Sequence, residues 1–422
     1  MMNKYCLRTY LFISGALLLI SISSKAQNFT SSPYSMYGLG ELRSQTTPVN
    51  TAMGNAGIGL ATNKFINVLN PASYSGLDSS TFIFEIGLES KYSKFKTSTK
   101  DAKSLDANLS YLAFGLRINK WLSTGIGLNP YSTAGYDINS TATIGGTAYT
   151  YPLEIIGSGN ISRVYFSFAV TPMEKLSIGV KTSFLFGSLI QTQYHDLSGI
   201  SSVSPSNETT DKFENFYWEF GFQYKFDLKQ GRSLTLGGLY TPPQFLVTDR
   251  EIITYNTSGQ IYDTDDTQSE HDFKIPQEFG IGIAYTNNKN LLYLLDAGIQ
   301  TWSDYTYDLE SVELKDNPYV RTGIEYTPTQ HFLEKYYKRI SYRLGFQYNK
   351  SYLSLRSYQS DEKVISLGFG LPLKNQQSRI DISLEGGKKG TVGSSRLIQE
   401  NFFRFRIGFS LKDVWFQQRK YN

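Results

Sequence analysis

The sequence predicts an all-β fold, a transmembrane antiparallel β-barrel of 14 strands with an N-terminal segment inside it, and three observations carry that expectation. From about residue 80 onward, apolar and polar residues alternate through segments of roughly 12 to 20 residues, and a period of two reads as strand. The chain of 422 residues holds 27 Phe, 31 Tyr, 4 Trp and 36 Gly, and only 18% of it is charged, below the roughly 25% of an ordinary soluble domain. After residue 22 there is no apolar run of about 18 residues, which excludes a helical membrane bundle. Abundant aromatics with a formal net charge of only +4 exclude intrinsic disorder.

At the N-terminus, Lys4 and Arg8 precede a 12-residue apolar core, Leu11 to Ile22, and Ser24-Lys25-Ala26 forms a small-x-small site before Gln27. This reads as a secretory signal peptide over residues 1–26. The competing reading, a membrane anchor, would need about 20 residues to span about 30 Å of hydrocarbon. Cys6, the one cysteine, lies ahead of the apolar core, so the mature chain has no thiol for a disulfide, a metal or a nucleophile. Without Lys4, Arg8 and Lys25, the basic residues number 38 against 37 acids, and no footprint for nucleic acid remains.

The strands follow in order. Phe82, Phe84, Ile86 and Leu88 alternate with Glu85 and Glu89 in the first; Phe216, Trp218, Phe220 and Phe222 with Tyr217, Glu219 and Gln223 near the middle; Phe403, Phe405, Ile407, Phe409 and Leu411 with Arg404, Arg406, Ser410 and Lys412 in the last. Strands of a soluble sandwich run to about 5 or 6 residues, whereas these are long enough to cross a bilayer with lipid outside and a polar lumen inside. Unpaired backbone groups are not tolerated in hydrocarbon, so the sheet must close. Segments fall at 80–96, 105–119, 121–137, 158–172, 175–195, 211–228, 231–246, 270–287, 290–305, 317–328, 338–356, 362–374, 378–390 and 398–413. Strand ends read this way are good to a few residues, so barrels of 12 or 16 strands stay open. Short links such as Asn119-Lys120 alternate with long ones at 138–157, 196–210, 247–269 and 306–316. Short periplasmic turns and long extracellular loops then put both barrel ends in the periplasm. The long link at 329–337 is the exception, and Glu334-Lys335 suggests a small periplasmic helix there. The barrel is therefore expected over 80–413, with a periplasmic tail over 414–422. Glu85, Glu89, Glu219, Asp296, Arg321, Asp381, Glu385, Arg404 and Arg406 are expected to face the lumen, where buried charges need partners.

Residues 27–79 break the pattern, with Gly38, Gly40, Gly54, Gly57, Gly59 and Gly76 and with Pro33, Pro48 and Pro71. The segment is too small to bury a core alone and is expected to plug the lumen; the other reading is a periplasmic linker. Here a resemblance enters. Ala52-Met53-Gly54-Asn55-Ala56-Gly57-Ile58-Gly59, followed by Asn70-Pro71-Ala72-Ser73-Tyr74, resembles the hatch of the long-chain fatty-acid outer-membrane transport family (FadL/TodX-like). Ile275-Pro276-Gln277-Glu278-Phe279-Gly280-Ile281-Gly282 is similar to that family's proline followed by a glycine strand, and Trp302-Ser303-Asp304-Tyr305 to its Trp-Ser-x-aromatic strand end. The opening Ser32-Pro33-Tyr34 and the close Trp415-Phe416, followed by Gln417 to Asn422, look like a divergent branch. The hatch motif is thus carried by Gly54, Gly57, Gly59, Asn70, Pro71 and Ala72.

The resemblance implies passive uptake of hydrophobic small molecules: capture by apolar extracellular loops, passage into a pocket under the plug, and escape to the periplasm or through a gap in the wall. Candidate capture residues are Tyr149, Tyr151, Ile155, Ile156, Phe245, Leu246, Ile252 and Ile253; membrane-girdle or loop packing is the plainer reading of the same residues. Asn129-Pro130 is the candidate lateral exit, because proline removes a ladder donor and is confined to edges and bulges. An ordinary bulge explains it as well. The rival function is a non-conducting barrel that serves as a scaffold or partner subunit in an outer-membrane secretion or protein-assembly complex. Expected partners are a hydrophobic small molecule or lipid, the outer-membrane lipids and, in the rival reading, other outer-membrane or periplasmic proteins. No cofactor, metal or enzymatic chemistry is expected. His195, His271 and His331 are scattered, His195-Asp196 reads as a solvated loop pair, no G-x-S-x-G elbow occurs, and Gly125-Ile126-Gly127 and Gly368-Phe369-Gly370 lie within strands.

Overall fold

A computed structural model describes residues 32–98, 100–199, 201, 203–288, 290–305, 312–355, 358–373, 377–392 and 398–414. The signal-peptide expectation and nearly all of the expected tail lie outside these residues. One sheet of 18 strands organises the chain. In order these are β1 (Glu41–Leu42), β2 (Thr81–Lys96), β3 (Asp101–Arg117), β4 (Leu122–Thr143), β5 (Thr150–Met173) and β6 (Leu176–His195). Then come β7 (Ser206–Asp227), β8 (Ser233–Thr241), β9 (Gln244–Tyr255), β10 (Ile261–Ile275), β11 (Gln277–Asn287) and β12 (Leu291–Thr301). The last are β13 (Val312–Leu314), β14 (Asn317–Tyr326), β15 (Ser341–Leu355), β16 (Tyr358–Pro372), β17 (Arg379–Lys389) and β18 (Gln399–Val414).

Fourteen of them form the closed wall. β8 pairs directly with β11 and β12 with β14, and β18 pairs with β2 from Gln399↔Lys96 to Val414↔Thr81, which closes the ring. Closure removes the unpaired edge that hydrocarbon would penalise. The wall reproduces the 14 segments read from alternation, and the differences lie beyond the membrane. The expected loop at 247–269 is largely the β9–β10 hairpin, with β9 laid against the outer half of β7 from Ser206↔Tyr255 to Phe213↔Thr248. β4 and β5 run on together to Thr143↔Thr150, so most of the expected 138–157 loop is ladder. Outside the bilayer both faces of a strand meet water and alternation fades, yet backbone groups still need partners, so pairing outlasts the pattern. In the long link before β15, a single helical turn, Tyr336–Arg339, is present.

Alternation places the faces as expected. Phe216, Trp218, Phe220, Phe222, Ile281, Leu295, Ile365, Leu367, Phe403 and Leu411 are exposed on the outside, while Glu85, Glu89, Glu219, Asp296, Asp381, Glu385 and Arg406 are buried on the inside. Residues 32–79 lie within the ring. A Cβ added at Gly125 (β4) would meet Tyr74, at Gly179 (β6) Ala72, at Gly221 (β7) Asn70 and at Gly237 (β8) Ile58. At Gly323 (β14) it would meet Met53, at Gly345 (β15) Gly54, at Gly368 (β16) Ala52 and at Gly408 (β18) Pro48. A segment that touches strands on every side of a ring can only be in its lumen, and the wall glycines let its backbone come close.

An outward apolar position should refuse a charge. Ile281→Arg, near the middle of β11, is expected to lower stability by about 2–4 kcal/mol, read as a reduced denaturation midpoint in lipid vesicles.

Candidate functional site

The site is the interface between the N-terminal segment and the inner wall, and it begins with Gly54, Gly57, Gly59 and Asn70-Pro71-Ala72, the residues expected to carry a hatch. Gly54 has φ +66°, a conformation glycine adopts without cost, and its N–H donates to Ser366 Oγ at 3.0 Å. Gly57 and Ile58 donate their backbone N–H groups to one carboxylate oxygen of Asp296 on β12, at 2.6 and 2.9 Å. Gly59 lies against the backbone of Gly282 and Ala284. Asn70 caps the short 3₁₀ turn Pro71–Gly76 by accepting from Ala72 N at 3.0 Å. Its amide donates to Ile58 O at 2.8 Å and to Phe222 O and Gly238 O on the wall at 3.2 Å. Pro71 opens that turn without needing a donor, and Ala72 is fully buried against Gly179.

Around this motif, charged wall side chains hold the segment from many directions. Glu85 accepts from Ile66 N at 3.1 Å, Lys181 donates to Val68 O at 3.1 Å and Gln223 to Ile58 O at 2.9 Å. Arg43 pairs with Glu89 at 2.9 Å, and Glu41 with Lys91 at 2.7 Å, which also reaches Glu400 at 2.9 Å. Arg406 bonds Glu89 and donates to the Thr51 hydroxyl, and Asn55 donates to Gln347 at 2.6 Å. Near the short turns, Lys412 pairs with Asp78 at 2.5 Å. Partial burial would raise the Asp78 pKa, but hydrogen bonds from Lys412 and Asn63 outweigh it and hold the carboxyl below its ordinary value. Bonds to ionised groups are about twice as strong as neutral ones, and each buried member depends on its partner.

Above the segment, a cavity of about 240 Å³ is lined by Glu41, Arg43, Lys91, Glu219, Arg321 and Arg404, among others. Beside it Leu39, Tyr131, Phe213, Leu246, Phe273 and Trp302 belong to one buried apolar cluster. Trp302 stacks on Tyr352 at 4.5 Å, and the Tyr352 hydroxyl donates to Gly40 O at 2.8 Å. The Trp-Ser-x-aromatic strand end thus packs over the N-terminal segment.

The wall has a discontinuity beside Pro130. β3 and β4 pair only from Arg117↔Ser123 to Leu112↔Leu128, although β3 continues to Asp101 and β4 to Thr143. At Pro130 to Ser132 the β4–β5 register shifts, and Tyr131 to Tyr136 turn inward and are buried. The N-terminal segment occupies that edge: Glu41↔Thr133 and Leu42↔Ser132 pair as strands, with Arg43 N donating to Tyr131 O at 2.9 Å and Ser32 N to Gly135 O at 2.8 Å. A cavity of about 130 Å³ is lined there by Leu109, Ser110, Leu128, Asn129, Pro130 and Arg43, among others. Asn129 accepts from Arg163 Nε at 3.2 Å, and Arg163, fully buried, also pairs with Glu219 at 3.0 Å.

The remaining candidates are divided. Tyr149, Tyr151, Ile155 and Ile156 lie on the β4–β5 hairpin, and Phe245, Leu246, Ile252 and Ile253 on β9, with β6 and β7 between the two groups. Tyr149 and Phe245 are exposed, Ile155 is buried, and Leu246 is fully buried in the apolar cluster. His195 Nδ1 lies 3.1 Å from the Tyr151 hydroxyl, and among the described residues no group of three acidic, His or Cys side chains could hold a metal. Sequence reasoning placed Asp296 and Glu85 in the lumen but missed that they accept backbone N–H groups, and it missed the inward turn of β4. Pro130 was the signal available for that turn.

Closure by fourteen strands around an N-terminal segment, with a belt of outward aromatics, defines a transmembrane β-barrel. The chain belongs to the BamG family, whose sequence profile matches residues 8–422. Its fold is similar to that of the Pseudomonas putida toluene transporter TodX, at 15% identity and TM-score 0.59 over 91% of this chain and 100% of that one. The Ralstonia pickettii toluene transporter TbuX gives 16% and 0.59 over 91% and 100%, and a Pseudomonas aeruginosa FadL homologue 13% and 0.56 over 88% and 98%. No curated protein matches in sequence.

Asp296→Ala would leave two buried N–H groups without an acceptor, at about 1–3 kcal/mol each. Backbone amide exchange at Gly57 and Ile58 is expected to quicken at least about tenfold, while the wall strands keep their protection.

Proposed function

We propose that this chain is a non-conducting barrel, stoppered by a fixed hatch that falls within residues 27–79, and that it serves as a partner subunit of an outer-membrane protein-assembly complex. The observation that carries this reading is the clamp on Gly57, Ile58, Ile66 and Val68 by Asp296, Glu85 and Lys181, together with the pairs Arg43–Glu89 and Glu41–Lys91. Breaking one member of a buried pair costs about 3–5 kcal/mol, and a buried methylene returns about 0.8 kcal/mol. Two broken clamps would therefore consume the binding energy of roughly ten methylenes. Loose passage of a small hydrophobic solute through the middle is disfavoured on that arithmetic. The apolar cluster around Leu246, Phe273 and Trp302 packs beside the cavity above the segment and narrows that route further. The family's Bam name points to the same class of assembly complex.

A second reading, passive uptake of hydrophobic small molecules, is favoured by the interrupted β3–β4 ladder at Asn129-Pro130 and by the likeness of fold to toluene transporters. A solute would then leave sideways and never pass the clamp. Tyr149, Tyr151, Ile156, Phe245, Ile252 and Ile253 would offer capture surface, whereas the buried Ile155 and Leu246 would not.

The assembly reading expects stoichiometric partner proteins to stay with the full chain through purification in mild detergent, and no steady current in a planar bilayer. A solitary barrel, or an ohmic current, overturns it. The uptake reading expects Pro130→Thr to slow entry of a labelled hydrocarbon or fatty acid, and unchanged entry at equal surface expression removes it.

A further inference from the structure

At the short-turn end, below the N-terminal segment, a second cavity of about 270 Å³ lies between Asn63-Lys64 and the link before β15. It is lined by Lys64, Arg339, Arg379 and Lys412, and by Gly370 among smaller residues. Its charge is unbalanced. Around it stand five cations, these four and Arg343, against three carboxylates, Glu325, Asp381 and Asp78. The carboxylates are already committed. Arg343 holds Glu325 and Asp381, each at 2.7 Å, Arg379 holds Asp381 at 2.7 Å, and Lys412 holds Asp78. Among the described residues, no carboxylate lies within ion-pairing distance of Lys64 or Arg339.

Donors also remain unused. Arg343 is 3% exposed and Arg379 9%, yet among the described residues Nη2 of the first and Nε of the second have no hydrogen-bond partner, nor does Nε of Arg339. A Cβ at Gly370 would strike Nη2 of both Arg343 and Arg379, so the two guanidinium groups converge on the glycine that forms part of the cavity lining. The bare glycine keeps that floor open. Burial draws the Lys64 pKa below the ordinary lysine value, and the nearby Arg379 and Arg343 add to that, against the opposing pull of Glu325 and Asp381.

We propose that this cleft is an oxyanion-binding site, which takes a phosphate or carboxylate group either as a free small anion or as the head of a lipid. Planar guanidinium forks match both groups and bind them bidentately. The cavity is at the small end for ligand pockets and suits a charged head better than an apolar body. The site does not depend on whether the barrel conducts, because it lies on the opposite side of the N-terminal segment from the apolar cluster.

The test is calorimetric titration of the full chain, purified in a maltoside detergent, with inorganic phosphate and separately with acetate. Saturable binding of either is expected, weakened at least about tenfold in the double variant Lys64→Gln, Arg339→Gln. Lys338→Gln, whose side chain points away to Glu334 at 3.1 Å, should bind as the parent does. Heat-modifiable gel mobility verifies that each variant is a folded barrel. Equal affinity in parent and folded double variant, or no saturation up to roughly 10 mM, overturns the site. Repeating the phosphate titration in phosphatidylglycerol nanodiscs separates the sources: lost phosphate binding there means a lipid head fills the cleft, and retained binding means a free anion does.

Discussion

A peptide group in hydrocarbon has no water to bond, so each N–H and C=O of the span needs a partner from the chain itself. The closed ring, from β2 round to β18, is the answer to that demand. The inner face follows from it. Once every second side chain is committed to lipid, the others point into a lumen, where charges such as Glu85, Asp296 and Arg406 are buried and in turn require counter-groups. Residues 32–79 supply many of them, largely through backbone amides and carbonyls.

The same demand explains what happens where the ladder between β3 and β4 lapses. Beyond Leu112↔Leu128 the outer halves of β3 and β4 part company, which would leave β4 with a bare edge. Glu41, Leu42 and Arg43 occupy that edge in the manner of a short strand. The N-terminal segment is thus integral to the sheet as well as to the lumen, and its removal would cost the wall hydrogen bonds in addition to ion pairs. That double role is hard to reconcile with a segment that swings aside to admit a solute. In the uptake reading, a lateral exit beside the lapsed β3–β4 ladder would ask for no such movement, and there the two functional readings part.

Much of the wall was legible beforehand because alternation is local. Phe403 to Leu411 or Phe216 to Phe222 needs only its own neighbours to declare two faces, and all 14 wall segments appeared in order. The β9–β10 hairpin was not legible, since Asp249 to Asp266 carries no two-residue apolar pattern. Within the site, Gly54, Gly57 and Asn70 stood out by residue type, and Pro130 by its missing donor. Their partners could not be named. Gly57 meets Asp296 239 positions away, and Asn55 meets Gln347 292 positions away.

By itself the amino-acid order determined the membrane-spanning class and which side chains face lipid, because alternation is a parity decided within about ten residues; the count of 14 was settled only by the pairing of distant strands. Only the tertiary structure decided which lumenal charge holds which piece of the N-terminal segment, where the ladder between β3 and β4 lapses, and which cations are left without a carboxylate at the short-turn end. Those outcomes depend on closure, which brings side chains from distant strands into one small, poorly solvated space where each charge must find a partner or remain unpaired.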